Sequence, residues 1–389
     1  MLKRILVPTL VVACVLFINV ASAAKDKDEV KQEFKAGAGG LLEIDLESGG
    51  SIDIRGTGGS SIIVEYSKRC DPECEILIKE TSRGLKISSE YVGRGRNQSS
   101  NIEFKIQVPS VYDLELESMG GGLSIDGVDG EFRGKTMGGE LTLHDVRGEA
   151  KLLTMGGKIK LTDSELDGSL KTMGGEVLFQ NVIGNVKGSS MGGDVRYKNV
   201  QRRDGDLASP PNLGDDLDDT STDTVQVSTM GGKIEVEEAP EGADVHTMGG
   251  NIEISDAQRF VRAKTMGGDI RVDSIDGWVQ AITMGGDIDV QMVGSGGDVL
   301  LSSNSGSIEL CVPSRFGMQL ELQVAFTRNS SKRFKIEAPG ELTETVSPDW
   351  DYDHGTPRKF LRQSGTINGG GNSVKIETIN GDIKVREGC

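Results

Sequence analysis

The chain repeats Thr/Ser-Met-Gly-Gly nine times, with methionine at Met119, Met137, Met155, Met173, Met191, Met230, Met248, Met266 and Met284. Every interval is 18 residues except one of 39. Counting each unit from its methionine as position 1, the unit at Met137 reads MGGELTLHDVRGEAKLLT. Positions 5 and 7 are apolar throughout: Leu141 and Leu143, Ile159 and Leu161, Val177 and Phe179, Ile252 and Ile254, Ile270 and Val272. Strict alternation of this kind marks a short strand with one buried face. Positions 8–12 read as a turn. Asp145, Asp163, Asn181, Asn199 and Asp256 stand at position 9, and Gly130, Gly148, Gly184 and Gly277 at position 12; Asx side chains bond nearby backbone and glycine accepts positive φ. A second strand follows, apolar at positions 14 and 16 and closing on Thr or Ser at 18. No 3.6-residue period runs through the unit.

Two strands and two turns per 18 residues predict an all-β chain, a β-solenoid of the parallel β-helix kind with one coil per unit. A single coil buries too little to offset its own ordering, so coils must stack, and a one-residue slip would turn the buried face outward. The interval of 39 is one coil plus a 21-residue excursion that falls within the acidic insert at 201–222, QRRDGDLASPPNLGDDLDDTST. It reads as a mobile surface loop leaving at the turn, with Val225 and Val227 resuming the second strand. Related strands extend the solenoid at Ser48–Ile54, Ser303–Leu310 and Thr378–Val385. The predicted division is a signal peptide at 1–23, an N-terminal β cap at 24–112, the repeat core at 113–311 and a C-terminal β cap at 312–389. The irregular β segments of the caps would shield the open strand edges.

Lys3 and Arg4, an apolar run from Ile5 to about Val20, and Ala21-Ser22-Ala23 form the three parts of a secretory signal. Two rivals are acylation at Cys14 and an uncleaved anchor. Against the first, the apolar run continues past Cys14 through Val15-Leu16-Phe17-Ile18. No other segment is apolar enough to span a bilayer. The chain carries 43 basic and 60 acidic side chains, net −17, a balance that repels phosphate backbones and argues against a nucleic-acid partner. Aromatics at 4% are too few for a typical carbohydrate-stacking groove. Past the signal, four cysteines remain, Cys70, Cys74, Cys311 and Cys389, and four allow three pairings. Cys70 and Cys74 would close a tight loop and leave Cys311 for Cys389; an exporting pathway permits disulfides. A zinc site is the rival, but no histidine lies near either pair.

The segments TINGDIKV and SNSGSIEL, with the Thr-x-Gly-Gly-Asp-Ile form, resemble the β-strand repeats of the bacterial "putative adhesin" family, secreted proteins of unassigned function. The resemblance covers about 40–389. It implies a solenoid of this architecture and attachment to surfaces, and it supplies no catalytic residues. The chain departs from the family's Thr-x-Ser-Gly pattern by placing glycine where that serine stands and methionine in the variable slot, in all nine units.

Methionine either fills a corner or faces water. With positions 14, 16 and 18 inward, alternation sends position 1 outward, and nine stacked thioethers would form a ridge suited to adhesion or self-association. Soft-metal capture by the thioethers and ice binding by the threonine column are weaker readings. No catalytic set assembles from His144, His246 and His354, which fall at unrelated places in the repeat. The stretch DWDYDHG, Asp349–Gly355, begins like a calcium loop, but His354 stands where glycine is required and Phe360 where a bidentate glutamate should be. The sequence therefore predicts no metal, no cofactor and no enzymatic activity. The expectation is an exported adhesion or scaffold protein, periplasmic, surface-bound or extracellular, with a protein, glycan or other surface as partner. The alternative is a periplasmic ligand-binding or regulatory module working through the acidic insert. A polysaccharide-active β-helix enzyme stands further off.

Overall fold

The computed structural model describes residues 29–37, 39–71, 73–92, 99–201, 225–294, 296–330, 332–352 and 355–389. Among them are thirty strands and no helix. The predicted signal segment, residues 202–222 of the predicted insert and His354 lie outside the described residues.

Each 18-residue unit is one coil. Its first strand pairs in parallel with the first strand of the next unit, Leu141 with Ile159, Ile159 with Val177 and Val177 with Val195. Its second strand does the same on the other wall, Phe132 with Ala150 and Ala150 with Gly168. The register survives the long interval: Val195 pairs with Ile234 and Ser190 with Thr229, so the insert leaves after Gln201 and returns at Val225 without breaking the stack.

The core lies between the two walls. Positions 5, 7, 14 and 16 are buried, as alternation requires, except at the half-buried Gly134 and Gly168, and position 18 is buried with them. A sixth inward column stands at position 10: Val128, Val146, Val182, Ala239, Ala257 and Ile275 are each no more than 1% exposed. The turn between the strands is thus a short third wall, in which Ser164 pairs with Val182 and Val182 with Val200. The backbone makes that corner by placing Asp145, Asp163, Asn181 and Asn199 at positive φ (47–54°), a region that Asx residues tolerate better than other side chains.

Stacking order departs from chain order at both ends. The strands Leu41–Leu46 and Ser51–Thr57 lie between the first full coil and an outer coil built from Gly84–Tyr91 and Ser99–Pro109. At the other end Asn372–Ile379 and Ile383–Glu387 insert between the coil at 299–312 and an outer one built from Met318–Thr327 and Ile336–Glu337. Antiparallel strands then close the rod: Ser61–Asp71, Glu29–Lys35 and Cys74–Glu80 at one end, Arg358–Ile367 and Thr343–Val346 at the other. The outermost strand at the first end carries Glu29, Lys31, Glu33 and Lys35 on one face. Charges on an edge strand deter pairing with a foreign strand.

Two disulfides pin these ends. Cys70–Cys74 joins the antiparallel strands of the two walls, and Cys311–Cys389 ties the chain terminus to the neighbouring coil.

Candidate functional site

The corner holding the methionines is built by a ladder of hydroxyls. Each position-18 side chain points inward and donates to the carbonyl of the position-3 glycine that opened its own coil. Thr154 Oγ1 reaches Gly139 O at 2.8 Å, Thr172 reaches Gly157 O at 2.8 Å and Thr283 reaches Gly268 O at 2.8 Å. The same oxygen accepts the N–H of the position-3 glycine that follows it, Gly157 at 3.2 Å, Gly175 at 3.1 Å and Gly286 at 3.2 Å. Serine does the same work at Ser190 and Ser303. Buried backbone groups at a tight corner need such partners, and one hydroxyl serves two coils. The sequence shows the threonine column and its burial; its bonding role is new with the structure.

The two glycines of each pair differ in kind. A Cβ on the second would stand 1.9 Å from the carbonyl oxygen of the preceding coil at Gly157, 2.0 Å at Gly175 and 2.1 Å at Gly286. Only glycine lets the backbones stack that closely. A Cβ on the first would meet nothing within 4 Å at Gly138, and nothing nearer than 3.8 Å at Gly174 or 3.5 Å at Gly285. Folding needs the second glycine and leaves the first unexplained.

Beside these bare glycines the nine methionines stand outward, from 39% exposed at Met155 to 60% at Met119. They occupy nine consecutive rungs, a strip about 38 Å long at about 4.8 Å per rung. The next rungs carry Asn304 and Ile379 in that slot. Both departures from an 18-residue coil between Met119 and Asn304 fall at the opposite corner, one after Gln201 and the other over 293–298. Charge flanks the strip on each side. Position 17 carries Lys135, Leu153, Lys171 and Lys264; position 4 carries Glu140, Lys158, Glu176 and Asp269. Asp194 and Asp287 at position 4 also accept the backbone N–H one rung on, from Lys233 at 2.8 Å and Ser307 at 2.7 Å.

The histidines do not converge. His144 is the exposed last residue of the strand Leu141–His144, its Nδ1 2.8 Å from Asp126 and its Nε2 3.6 Å from Asp163. The hydrogen bond to Asp126 lifts its pKa above the ordinary value, with a smaller Coulombic pull from Asp126, Asp163 and Asp145. His246 lies on the second strand of a coil several rungs away. Sequence alternation also missed two buried polar side chains at outward position 15, Arg262 and Gln280, 1% and 4% exposed. Arg262 lies 3.7 Å from Asp244 and 6.0 Å from the Trp278 ring, which stacks on Phe260. The aromatic pair at position 13 was the available signal. A cleft of about 530 Å³ at the N-terminal end is lined by mixed charges, among them Lys35, Glu80, Arg83, Asp113 and Arg133, and contains no histidine or cysteine. Among the described residues no group of three His, Cys, Asp or Glu side chains is placed to hold a metal ion, and no helix is long and apolar enough to cross a membrane.

No curated protein matches the sequence. Among solved structures, the chain is similar to a "putative cell adhesion protein" of Clostridium sporogenes (8% identity, 93% of this chain and 100% of that one, TM-score 0.20). It is also similar to a "putative adhesin" of Parabacteroides distasonis (12%, 71% and 98%, TM-score 0.32) and to a "putative lipid binding protein" of the same organism (10%, 92% and 96%, TM-score 0.22). TM-scores this low carry no functional argument. The family is settled by the sequence itself: the Toastrack DUF4097 model matches residues 40–338, most of the described rod, and the chain belongs to that family.

Proposed function

We propose that the chain is an exported, non-enzymatic rod that acts as an adhesion or scaffold surface of the cell envelope, and that the methionine edge is its contact surface. The carrying observation is the pairing of nine exposed methionines with a glycine track that the fold does not require. Soluble chains seldom keep a continuous apolar strip unless something covers it, and methionine adapts its shape to varied partners. Two disulfides support residence in an oxidising compartment. The interior polar groups are chiefly the position-18 hydroxyls, already bonded to backbone, and most other polar groups spread along the outside, an arrangement suited to a surface and not to a reaction.

The test replaces Met137, Met155, Met173, Met248 and Met266 with glutamine and measures cosedimentation with isolated envelopes of the exporting cell. Loss of at least tenfold in binding, with circular dichroism unchanged, is the expected result. Binding equal to that of the parent chain would remove the edge from the function.

A further inference from the structure

We propose that the methionine edge receives a second copy of this chain, docked parallel and in register about a two-fold axis running along the rod. The inference rests on reading that edge as a contact surface and names its occupant.

The argument comes from the flanks, rung by rung. Where lysine stands two residues before a methionine, an acid stands three residues after the same methionine: Lys135 with Glu140, Lys171 with Glu176, Lys264 with Asp269. Around Met155, where Leu153 takes the lysine's place, Lys158 stands on the other side. A two-fold axis along the rod exchanges the flanks. Lys135 then faces Glu140 of the second copy, Lys171 faces Glu176 and Lys264 faces Asp269, each pair occurring twice. No like charges meet. The alternative two-fold axis, across the rod, reverses the rungs about Met191 and keeps each flank against itself. Lys135 would face Lys264, Glu140 would face Asp269 and Asp194 would face its own copy, with only Glu176 against Lys233 in compensation. Like charges set face to face are a penalty that specific interfaces avoid.

The flanking lysines are available, whereas Glu176 is 26% exposed and already meets Lys158 and Arg196. Lys135 is 54% exposed and its partner within the chain, Glu117, lies 3.0 Å away at the surface; Lys158 is 67% exposed, 3.4 Å from Glu176. Exposed pairs of this kind hold weakly, so their members can be shared across an interface. The bare first glycines, Gly138 to Gly285, leave room beside each methionine for the thioether of the opposite rod, and the chain leaves the rod after Gln201, rejoins it at Val225 and lengthens the 20-residue coil at the far corner. A strip about 38 Å by about 10 Å is small for an obligate dimer and fits a reversible one. An anionic lipid surface fits less well: a chain of net −17 is repelled by it, and the strip carries both signs in balance.

The closing experiment has three arms on the full exported chain. Sedimentation equilibrium should show a concentration-dependent dimer, weakened at least tenfold by Lys135→Glu with Lys171→Glu and restored when Glu140→Lys and Glu176→Lys are added. Single variants Met137→Cys and Met266→Cys should each crosslink to themselves under mild oxidation, and an equal mixture should give no more of the 137–266 product than chance. A monomer at every concentration overturns the proposal, and so does crosslinking found only between 137 and 266. In the third arm, methionine-dependent cosedimentation of a monomeric chain with phosphatidylglycerol vesicles would assign the edge to lipid and overturn it as well. A monomer whose envelope binding still falls in the five-glutamine variant would leave the contact-surface reading standing while this one fails; a dimer whose envelope binding is untouched would do the reverse.

Discussion

At the scale of single residues, the two glycines of each pair are alike in the sequence and opposite in the structure. Gly175 packs against a carbonyl that a methyl group would overlap, and Gly174 looks onto open space. Gly175→Ala should therefore cost about 1–3 kcal/mol, the range for forced overpacking, and Gly174→Ala close to nothing. Urea denaturation of the two variants side by side measures the difference, and equal midpoints would contradict the stacking geometry. His144 gives a second residue-scale expectation. Its hydrogen bond to Asp126 raises its pKa in the folded chain, so protonation is linked to folding. The stabilisation is present in full below the ordinary value of 6.5 and is lost as pH rises through the raised one. The site is half exposed, so the effect on stability is small. The direct readout is an NMR titration: the His144 midpoint should lie above 6.5 and move down in Asp126→Asn.

At the scale of strands and coils, the ends depend on pieces threaded out of chain order. The last strand, Ile383–Glu387, is held between neighbours from earlier in the chain, and the terminus behind it is fastened by Cys389 to Cys311, 78 residues away in sequence. Cys389→Ser should lower stability by about 4 kcal/mol on the chain-entropy account of a loop that size. Hydrogen exchange should show Ile383–Glu387 losing protection before the central coils; uniform loss along the chain would mean that the bond does not guard that end in particular. This threading was not legible in the sequence. The motif at Ser48–Ile54 announces a coil, but nothing in Leu85, Ile87, Phe104 or Ile106 says that their strands lie outside it. What the repeat did make legible is what period and alternation control: both walls, the inward positions 5, 7, 14 and 16, the register across Met191 to Met230, and the all-β solenoid. Position 10 escaped because a valine among Asx and glycine reads as part of a turn. The methionine slot was legible in its outward parity. The freedom of the first glycine was not, because a distance to the coil below is no property of one unit's letters.

At the scale of the whole molecule, the repeat region behaves as a one-dimensional object. Every strand of a central coil pairs only with the coil before and the coil after, as Val177 does with Ile159 and Val195, so a fault in one rung reaches its neighbours and fades beyond them. The hydroxyl ladder has the same range, since Thr172 touches Gly157 and Gly175 and nothing farther along the rod. Stability in such a chain is a sum over adjacent interfaces, and cooperativity is lost when one interface is weakened enough. The consequence can be measured in Gly175→Ala by native-state hydrogen exchange resolved along the sequence. Protection should fall in the coils that begin at Met155, Met173 and Met191 and stay at the parent level in the coil that begins at Met284, more than three rungs away. A fall of equal size at both places would show that the rod unfolds as one unit, with coupling carried by something other than contact between adjacent coils. Local loss is the result that a stack of self-insufficient coils requires, because each draws its support from the two it touches.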